Sequence, residues 1–372
     1  MGAVSLAAIK FGEIVLQIEG SQTLLIACSI TLLYSTLGGL KAVVITDVIQ
    51  FFLAMVGSVW AAIYVVSLPQ IGGMKNLINH PNVIDRISIF PDFSNPDIWV
   101  PLFFVPLAVQ WWSTYYPGSE PGGGGYIAQR MFSAKNERNA IAATFLFNFS
   151  HYALRPWPWI IIALSSLVIF PEVGDIQNAF PGLSEDKLGD DVAYPAMLTL
   201  LPSGLLGIVS ASLIAAFMST MSTQLNLGAS YLVNDFYHRF LRKDASQKEL
   251  VFAGRVFTVI SITIGAGLGL TLQSAGQAFN LLLLVGAGTG AIYILRWFWW
   301  RINATTEIIA MISSVIIAGF LNFGNLEMED WEKIIFGVVL TTIVWIIGTF
   351  LTKPEEEKVL LNFVKKINPG GP

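Results

Sequence analysis

Ala215-Ala216-Phe217-Met218-Ser219-Thr220-Met221-Ser222-Thr223 sets four hydroxyl side chains in the middle of a long apolar segment. A helix in lipid carries hydroxyls at that density when they coordinate something or when a neighbouring backbone must come close. The segment around it, about 203–235, is far longer than the roughly 20 apolar residues that cross a bilayer. This stretch therefore reads as a membrane helix with a polar task.

The rest of the chain agrees on the environment. Of 372 residues, 54% are hydrophobic and only 12% charged, about half the charged share of an ordinary soluble domain. With a mean hydropathy of +0.64, a chain of this length cannot hide its apolar surface in one soluble core. An all-α polytopic membrane protein follows. The net charge of -4 decides little, because the charges are sorted by loop. The single cysteine, Cys28, lies in an apolar run and excludes a disulfide framework and a cysteine metal site.

Apolar windows predict about ten transmembrane helices, near 3–19, 22–37, 45–68, 98–117, 138–171, 203–235, 250–272, 278–300, 304–322 and 332–352. The first is interrupted by Lys10 and Glu13, and several are long enough to require tilt or breaks. Basic connections fall at every second crossing: Lys41; Arg130, Lys135 and Arg138; Arg239, Arg242, Lys243 and Lys248; Arg296 and Arg301. Excess lysine and arginine marks the cytoplasmic side. The acidic connections 172–191 and 322–331 then face outward, and the tail 353–372, with Lys353, Lys358, Lys365 and Lys366, lies inside. Such an inner membrane protein, read as a single transmembrane domain over 1–372, has the lipid bilayer as its first partner.

Trp111-Trp112-Ser113-Thr114-Tyr115-Tyr116-Pro117-Gly118-Ser119-Glu120-Pro121, followed by Gly122 to Gly125, cannot continue a helix. Non-helical backbone at membrane depth survives where it lines a cavity, so the aromatic run is expected to line one. A discontinuous helix, mid-membrane polar residues and sorted loop charges describe a secondary transporter. No nucleotide-binding loop, metal-ligand cluster or nucleophile motif is present, so neither an enzyme nor a primary pump is supported. The driving energy is expected from an ion. No nucleic-acid partner and no obligate protein partner is implied.

Five motifs then occur in order. They are Thr36-Leu37-Gly38-Gly39-Leu40-Lys41-Ala42-Val43, Thr46-Asp47-Val48-Ile49-Gln50, Gln129-Arg130-Met131-Phe132-Ser133-Ala134-Lys135-Asn136, the hydroxyl helix ending in Asn234-Asp235-Phe236-Tyr237, and Arg296-Trp297-Phe298-Trp299-Trp300-Arg301-Ile302-Asn303. Together with Thr352-Lys353-Pro354 through Phe363 to Pro369, they make the chain resemble the sodium:solute symporter family, which includes the sodium/glucose cotransporters. The resemblance implies an inverted-repeat helical bundle of two five-helix halves. It maps core helices three to ten onto about 1–300, with additional helices at about 304–322 and 332–352. On this mapping the first two core helices have no counterpart, and the chain reads as a fragment or a truncated gene product.

The resemblance assigns sodium as the coupling ion. Sodium is a hard cation that takes oxygen ligands, and on one helix a carbonyl at i and hydroxyls at i+3 and i+4 project toward one point. Ala216, by its backbone carbonyl, with Ser219 and Thr220, would form the eighth-helix half of the family's main sodium site. A second sodium would use Asp47, Ser219, Ser222 and Thr223; Asp47 as a cap at its own helix end is the alternative. The small-molecule solute, sugar-like or a carboxylate, would meet Gln110, Trp111, Trp112, Tyr126, His151, Arg155 and Asn280. His151 and Arg155 are four apart and share a helix face just before Pro156 and Pro158, which are expected to break the helix, with Glu120 as a candidate partner of the guanidinium. The cytoplasmic end of the hydroxyl helix, with Asp235, Tyr237 and His238, is expected to be tethered by ion pairing with Arg239 or Arg255. Two other functions remain open on the sequence: a proton-coupled carrier using His151 and Asp47, and a non-transporting membrane sensor.

Overall fold

A computed structural model describes residues 1–110, 125–324 and 326–367; within it, side chains are not described at Tyr34, 36–43, Gln110, Gly125, Tyr126 and Gln129. The described backbone is helical, and no strand occurs among the described residues. By length and composition seven of these helices can cross a membrane, or eight if a sharply bent pair forms one span. The polytopic all-α architecture is as the apolar windows predict.

In chain order the elements are α1 (Gly2–Leu16), α2 (Gly20–Val66), α3 (Pro96–Val109), α4 (Gly125–Phe132), α5 (Glu137–Ile169), the short α6 (Ala193–Leu198), α7 (Ser203–Leu241), α8 (Gln247–Thr271), α9 (Ala275–Leu295), α10 (Ala304–Phe323), α11 (Asp330–Leu351) and α12 (Glu357–Ile367). They fall into two compact units. Residues Met1–Ser88 and Lys135–Ala275 form one, and Ile89–Ala134 with Gly276–Pro372 form the other.

In the first unit α7 packs along α2 and α8, and α1 packs against α8 and α2. The bend of 116° between α1 and the start of α2 turns on Gln17, which ends α1 in the left-handed conformation at φ 56°. Gly12 makes that approach possible, because a Cβ there would run into the Thr23 side chain. In the second unit α10 and α11 pack as an antiparallel pair, with Leu283 and Leu284 of α9, Ala318, Leu321 and Ile334 in their shared core.

Two expectations are corrected. The Gly38-Gly39 pair and Lys41 do not open a connection between two spans: α2 runs unbroken for 47 residues, with apolar windows on either side of 36–43. Two glycines cost about 1 kcal/mol each against alanine, which long flanking helices absorb. The second concerns the breaks. Pro156 does not end α5; it widens the preceding turn into a π-helical segment, Ser150–Leu154, in which the Arg155 N–H reaches the Ser150 carbonyl at 2.9 Å. A proline ring clashes with the carbonyl four residues back, and a wider turn relieves the clash without ending the helix. The same widening surrounds Pro101 and Pro106 in α3. The aromatic run that follows, including Trp111 and Trp112, lies outside the described residues.

Candidate functional site

The hydroxyl stretch sits at the centre of α7, where the helix crosses the second half of α2. That crossing joins residues 172 positions apart: Ser219 Oγ donates to Asp47 Oδ1 at 2.5 Å. A carboxylate four residues into an apolar window needs such a donor or a cation, and here it has the donor. Ser222 and Thr223 follow on the buried side of α7. Ser222 Oγ donates to the Ser219 carbonyl at 3.0 Å, and Asn226 Nδ2 donates to the Ser222 carbonyl at 2.8 Å. This back-bonding uses the Ser222 hydroxyl proton and leaves its oxygen able to accept or to ligate.

Ala216 and Thr220 face a different way. They line a cavity of about 550 Å³ together with Phe217, Thr23, Lys10 and Asp191. The i, i+3, i+4 set Ala216, Ser219, Thr220 is therefore divided between the cavity and the Asp47 contact, with Ser219 committed to the carboxylate.

Of the residues assigned to the solute, His151 and Arg155 belong to the first unit. His151 lies in the widened turn, stacked on Phe147 at 5.5 Å and edge-on to Tyr152 at 4.6 Å. Arg155 holds its guanidinium over the Trp159 ring at 5.2 Å, a cation–π contact. Glu120 lies outside the described residues, as do Trp111 and Trp112, and so do the side chains of Gln110 and Tyr126. Asn280 belongs to the second unit, where it donates to Asp330 Oδ2 at 2.5 Å and so ties α9 to the start of α11.

The sequence reading missed an ion-pair cluster. Lys10 interrupts the first apolar window, yet it is 2% exposed and pairs with Asp191 at 2.7 Å. The other Asp191 oxygen accepts the Ala275 N–H at 2.9 Å, at the start of α9. In the same acidic connection Lys187 is buried and donates to the carbonyls of Leu270 and Leu272 at the end of α8, with Asp186 at 3.3 Å. One loop thus caps the end of α8 with a cation and the start of α9 with an anion, each matching the local helix dipole. The signal was available: a lysine inside an apolar run demands an anion, and 172–191 is the connection richest in acids.

A second cavity, of about 870 Å³, lies against the same loop and is lined by Trp159, Tyr194 and Asp191, with Arg86, Glu172 and Asp190 at its polar part. Burial pushes the Tyr194 phenol up to about 12, against the opposing pull of Ser58 and Trp159. It is a neutral hydroxyl at any physiological pH. At the far end of α7 the tether is Glu249 of α8 and not Asp235: Tyr237 Oη donates to Glu249 Oε1 at 2.8 Å, and Arg242 Nε stands 3.4 Å from the same oxygen.

The family model of the sodium:solute symporter family matches residues 2–314. The chain is 29% identical to the sodium/glucose cotransporter of Vibrio parahaemolyticus, over 84% of this chain and 59% of that protein. It is 30% identical to sodium/glucose cotransporter 1 of Sus scrofa, over 74% and 45%, and 26% identical to human sodium/myo-inositol cotransporter 2, over 78% and 45%. The chain thus spans about half the length of these curated relatives. In fold it is similar to a Na+-coupled sialic acid symporter solved in a substrate-bound outward-open state, with a TM-score of 0.60 at 17% identity, covering 96% of this chain and 71% of that one. With five ordered motifs, a membrane-helical fold and a match over most of its length, the chain belongs to the sodium:solute symporter family.

Proposed function

We propose that the protein takes part in sodium-coupled symport of a small polar solute by alternating access. The observation that carries this reading is the meeting of Asp47 with the hydroxyl helix through Ser219. The Asp47 carboxylate meets α7 at Ser219, and Ser222 and Thr223 follow about one turn on, so negatively charged and hydroxyl oxygens suited to a hard monovalent cation are available there. We assign the second-ion set, Asp47, Ser219, Ser222 and Thr223, to this place, and we propose Ala216, Ser219 and Thr220 as the main-site set, of which Ala216 and Thr220 line the smaller cavity. Sodium binding at either set would favour the solute-competent conformation by its differential affinity for the two states.

For the solute we propose a polyhydroxylated molecule; the candidate contacts that the family resemblance offers are Gln110, Trp111, Trp112, Tyr126, His151, Arg155 and Asn280, each to be tested singly. Relatives named for glucose and myo-inositol support a polyol over a carboxylate. Basic connections at Arg130–Arg138, Arg239–Lys248 and Arg296–Arg301 support an inner, plasma-membrane location with the C-terminal tail cytoplasmic.

The test is radiolabelled uptake into vesicles carrying the protein, under imposed gradients of sodium, lithium or protons. Sodium-driven accumulation supports symport. Accumulation under a proton gradient alone would transfer the coupling to His151 and Asp47, and no accumulation of any polyol, carboxylate or amino acid would favour a sensor.

A further inference from the structure

The final helix is built unlike the spans. Along α12, Val359, Leu360, Phe363, Val364 and Ile367 fall on one side, and Lys358, Asn362, Lys365 and Lys366 on the other. At 11 residues it is roughly 16 Å long, about half the hydrocarbon thickness, so it cannot cross. None of its residues is buried, and Val359, Leu361, Val364 and Ile367 are each about half exposed. An apolar helix face of this kind normally has something against it.

Its level relative to the spans is set by a group of hydrogen bonds in the second unit. Arg301 Nη2 donates to the carbonyls of Phe350 and Thr352, at 3.1 and 2.9 Å, and Asn303 Nδ2 donates to Thr352 Oγ1 and the Lys353 carbonyl, both at 3.0 Å. These bonds lock the turn between α9 and α10 onto the end of α11, a few residues before α12 begins. Trp297, Phe298 and Trp300 of that turn stand exposed, and the Trp297 ring packs on Phe363 at 5.7 Å. Exposed tryptophans at the ends of spans mark the boundary between hydrocarbon and headgroups. The helix starts at that boundary and is anchored to it by Phe363.

We infer that α12 lies flat in the membrane interface, its Val359, Leu360, Val364 and Ile367 side among the lipid chains, with Lys358, Lys365 and Lys366 on the phosphates of anionic lipids. The charge pattern selects this occupant. Three lysines share the polar face, whereas the acidic run Glu355, Glu356 and Glu357 is confined to the approach and first residue, where it faces the positive end of the helix dipole. A second copy of the same face would bring like-charged lysines together along its edge. The inference rests on the membrane-spanning reading of α9 and α11, not on which ion or solute is carried. By the basic-loop argument the leaflet is the cytoplasmic one.

The experiment uses the whole chain with Cys28→Ser and one new cysteine, Val364→Cys or Asn362→Cys, carrying a spin label. The protein is reconstituted in vesicles of phosphatidylcholine, alone or mixed with phosphatidylglycerol. At Val364 the label should collide with dissolved oxygen and be shielded from an aqueous nickel chelate; at Asn362 the order should reverse. Shielding at Val364 should rise with phosphatidylglycerol. Changing Lys358, Lys365 and Lys366 to Gln should abolish that rise, lowering the seated-to-free ratio about fivefold per lysine. Equal chelate access at the two positions would overturn the proposal, as would shielding indifferent to phosphatidylglycerol. Shielding that grows with protein density at constant lipid composition would assign the face to a second copy. Because both positions are exposed, neither label should disturb the fold. Uptake need not be measured, so failure of the symport reading leaves this result interpretable.

Discussion

Asp47 and Ser219 hold the clearest chemistry in the molecule, and each explains the other. The carboxylate near the end of an apolar window needs a donor, and the hydroxyl helix supplies it. Under the symport reading, Ser219→Ala should raise the sodium concentration for half-maximal uptake about tenfold or more, since a hydrogen bond to a charged group is worth ~1.5–3 kcal/mol. Ser230→Ala, about two turns beyond Thr223, should leave it nearly unchanged. Equal shifts would remove the assignment. The Lys10–Asp191 pair makes an asymmetric prediction. Asp191→Ala leaves a buried ammonium without its anion, at a cost of about 3–5 kcal/mol. Lys10→Met costs less, because Asp191 keeps the Ala275 N–H and some exposure to water. Thermal midpoints in detergent should fall in that order. Tyr194 adds an alkaline signature: its folded phenol, at about 12, lies above the ordinary value near 10. Its contribution to stability is complete below pH 10 and is lost as pH rises toward 12. Tyr194→Phe should remove that part of the alkaline loss in a pH series of unfolding midpoints.

At the scale of elements, close helix approach decides which glycines matter. A Cβ at Gly269 of α8 would meet Ser5 Cβ of α1, with the Gly2 carbonyl and the Leu6 nitrogen both at 3.2 Å. Those are backbone atoms that cannot swing aside, so Gly269→Ala should destabilise by about 1–3 kcal/mol through overpacking. Gly207 of α7 has open space around its would-be Cβ, and Gly207→Ala should stabilise by about 0.5–1 kcal/mol through helix propensity. A lower melting midpoint for the first and a higher one for the second would check the helix packing. The widened turns Val100–Phe104 of α3 and Ser150–Leu154 of α5 lie on the N-terminal side of Pro106 and Pro156, which would otherwise clash with the turn behind them. They place His151 on a wider turn than an α-helix gives, stacked between aromatic neighbours.

At the scale of the whole molecule, the proposed symport predicts uptake that follows a sodium gradient, weakens with lithium and persists when the proton gradient is collapsed; accumulation surviving full replacement of sodium would refute the coupling. Much of the architecture could be read from residue order alone. A bilayer about 30 Å thick permits long apolar helices and little else, so windows such as 304–322 and 332–352 fall within a residue or two of α10 and α11. The hydroxyl cluster was equally visible, because its cost in lipid makes it conspicuous. What residue order could not decide depends on which distant groups meet. Gly38-Gly39 has the composition of a turn, yet the backbone stays helical because the neighbouring turns support it. Lys10 looked like a flaw in the first span until Asp191, 181 residues away, neutralised it. Asp235 looked like the tether of α7, but α8 presents Glu249 to Tyr237 and Arg242. Local composition and periodicity determined that the chain lies in a membrane and where most of its apolar helices run, because transfer into lipid acts residue by residue. Only the tertiary structure paired Asp47 with Ser219 and Lys10 with Asp191, because pairing energies depend on the packing of helices far apart in sequence.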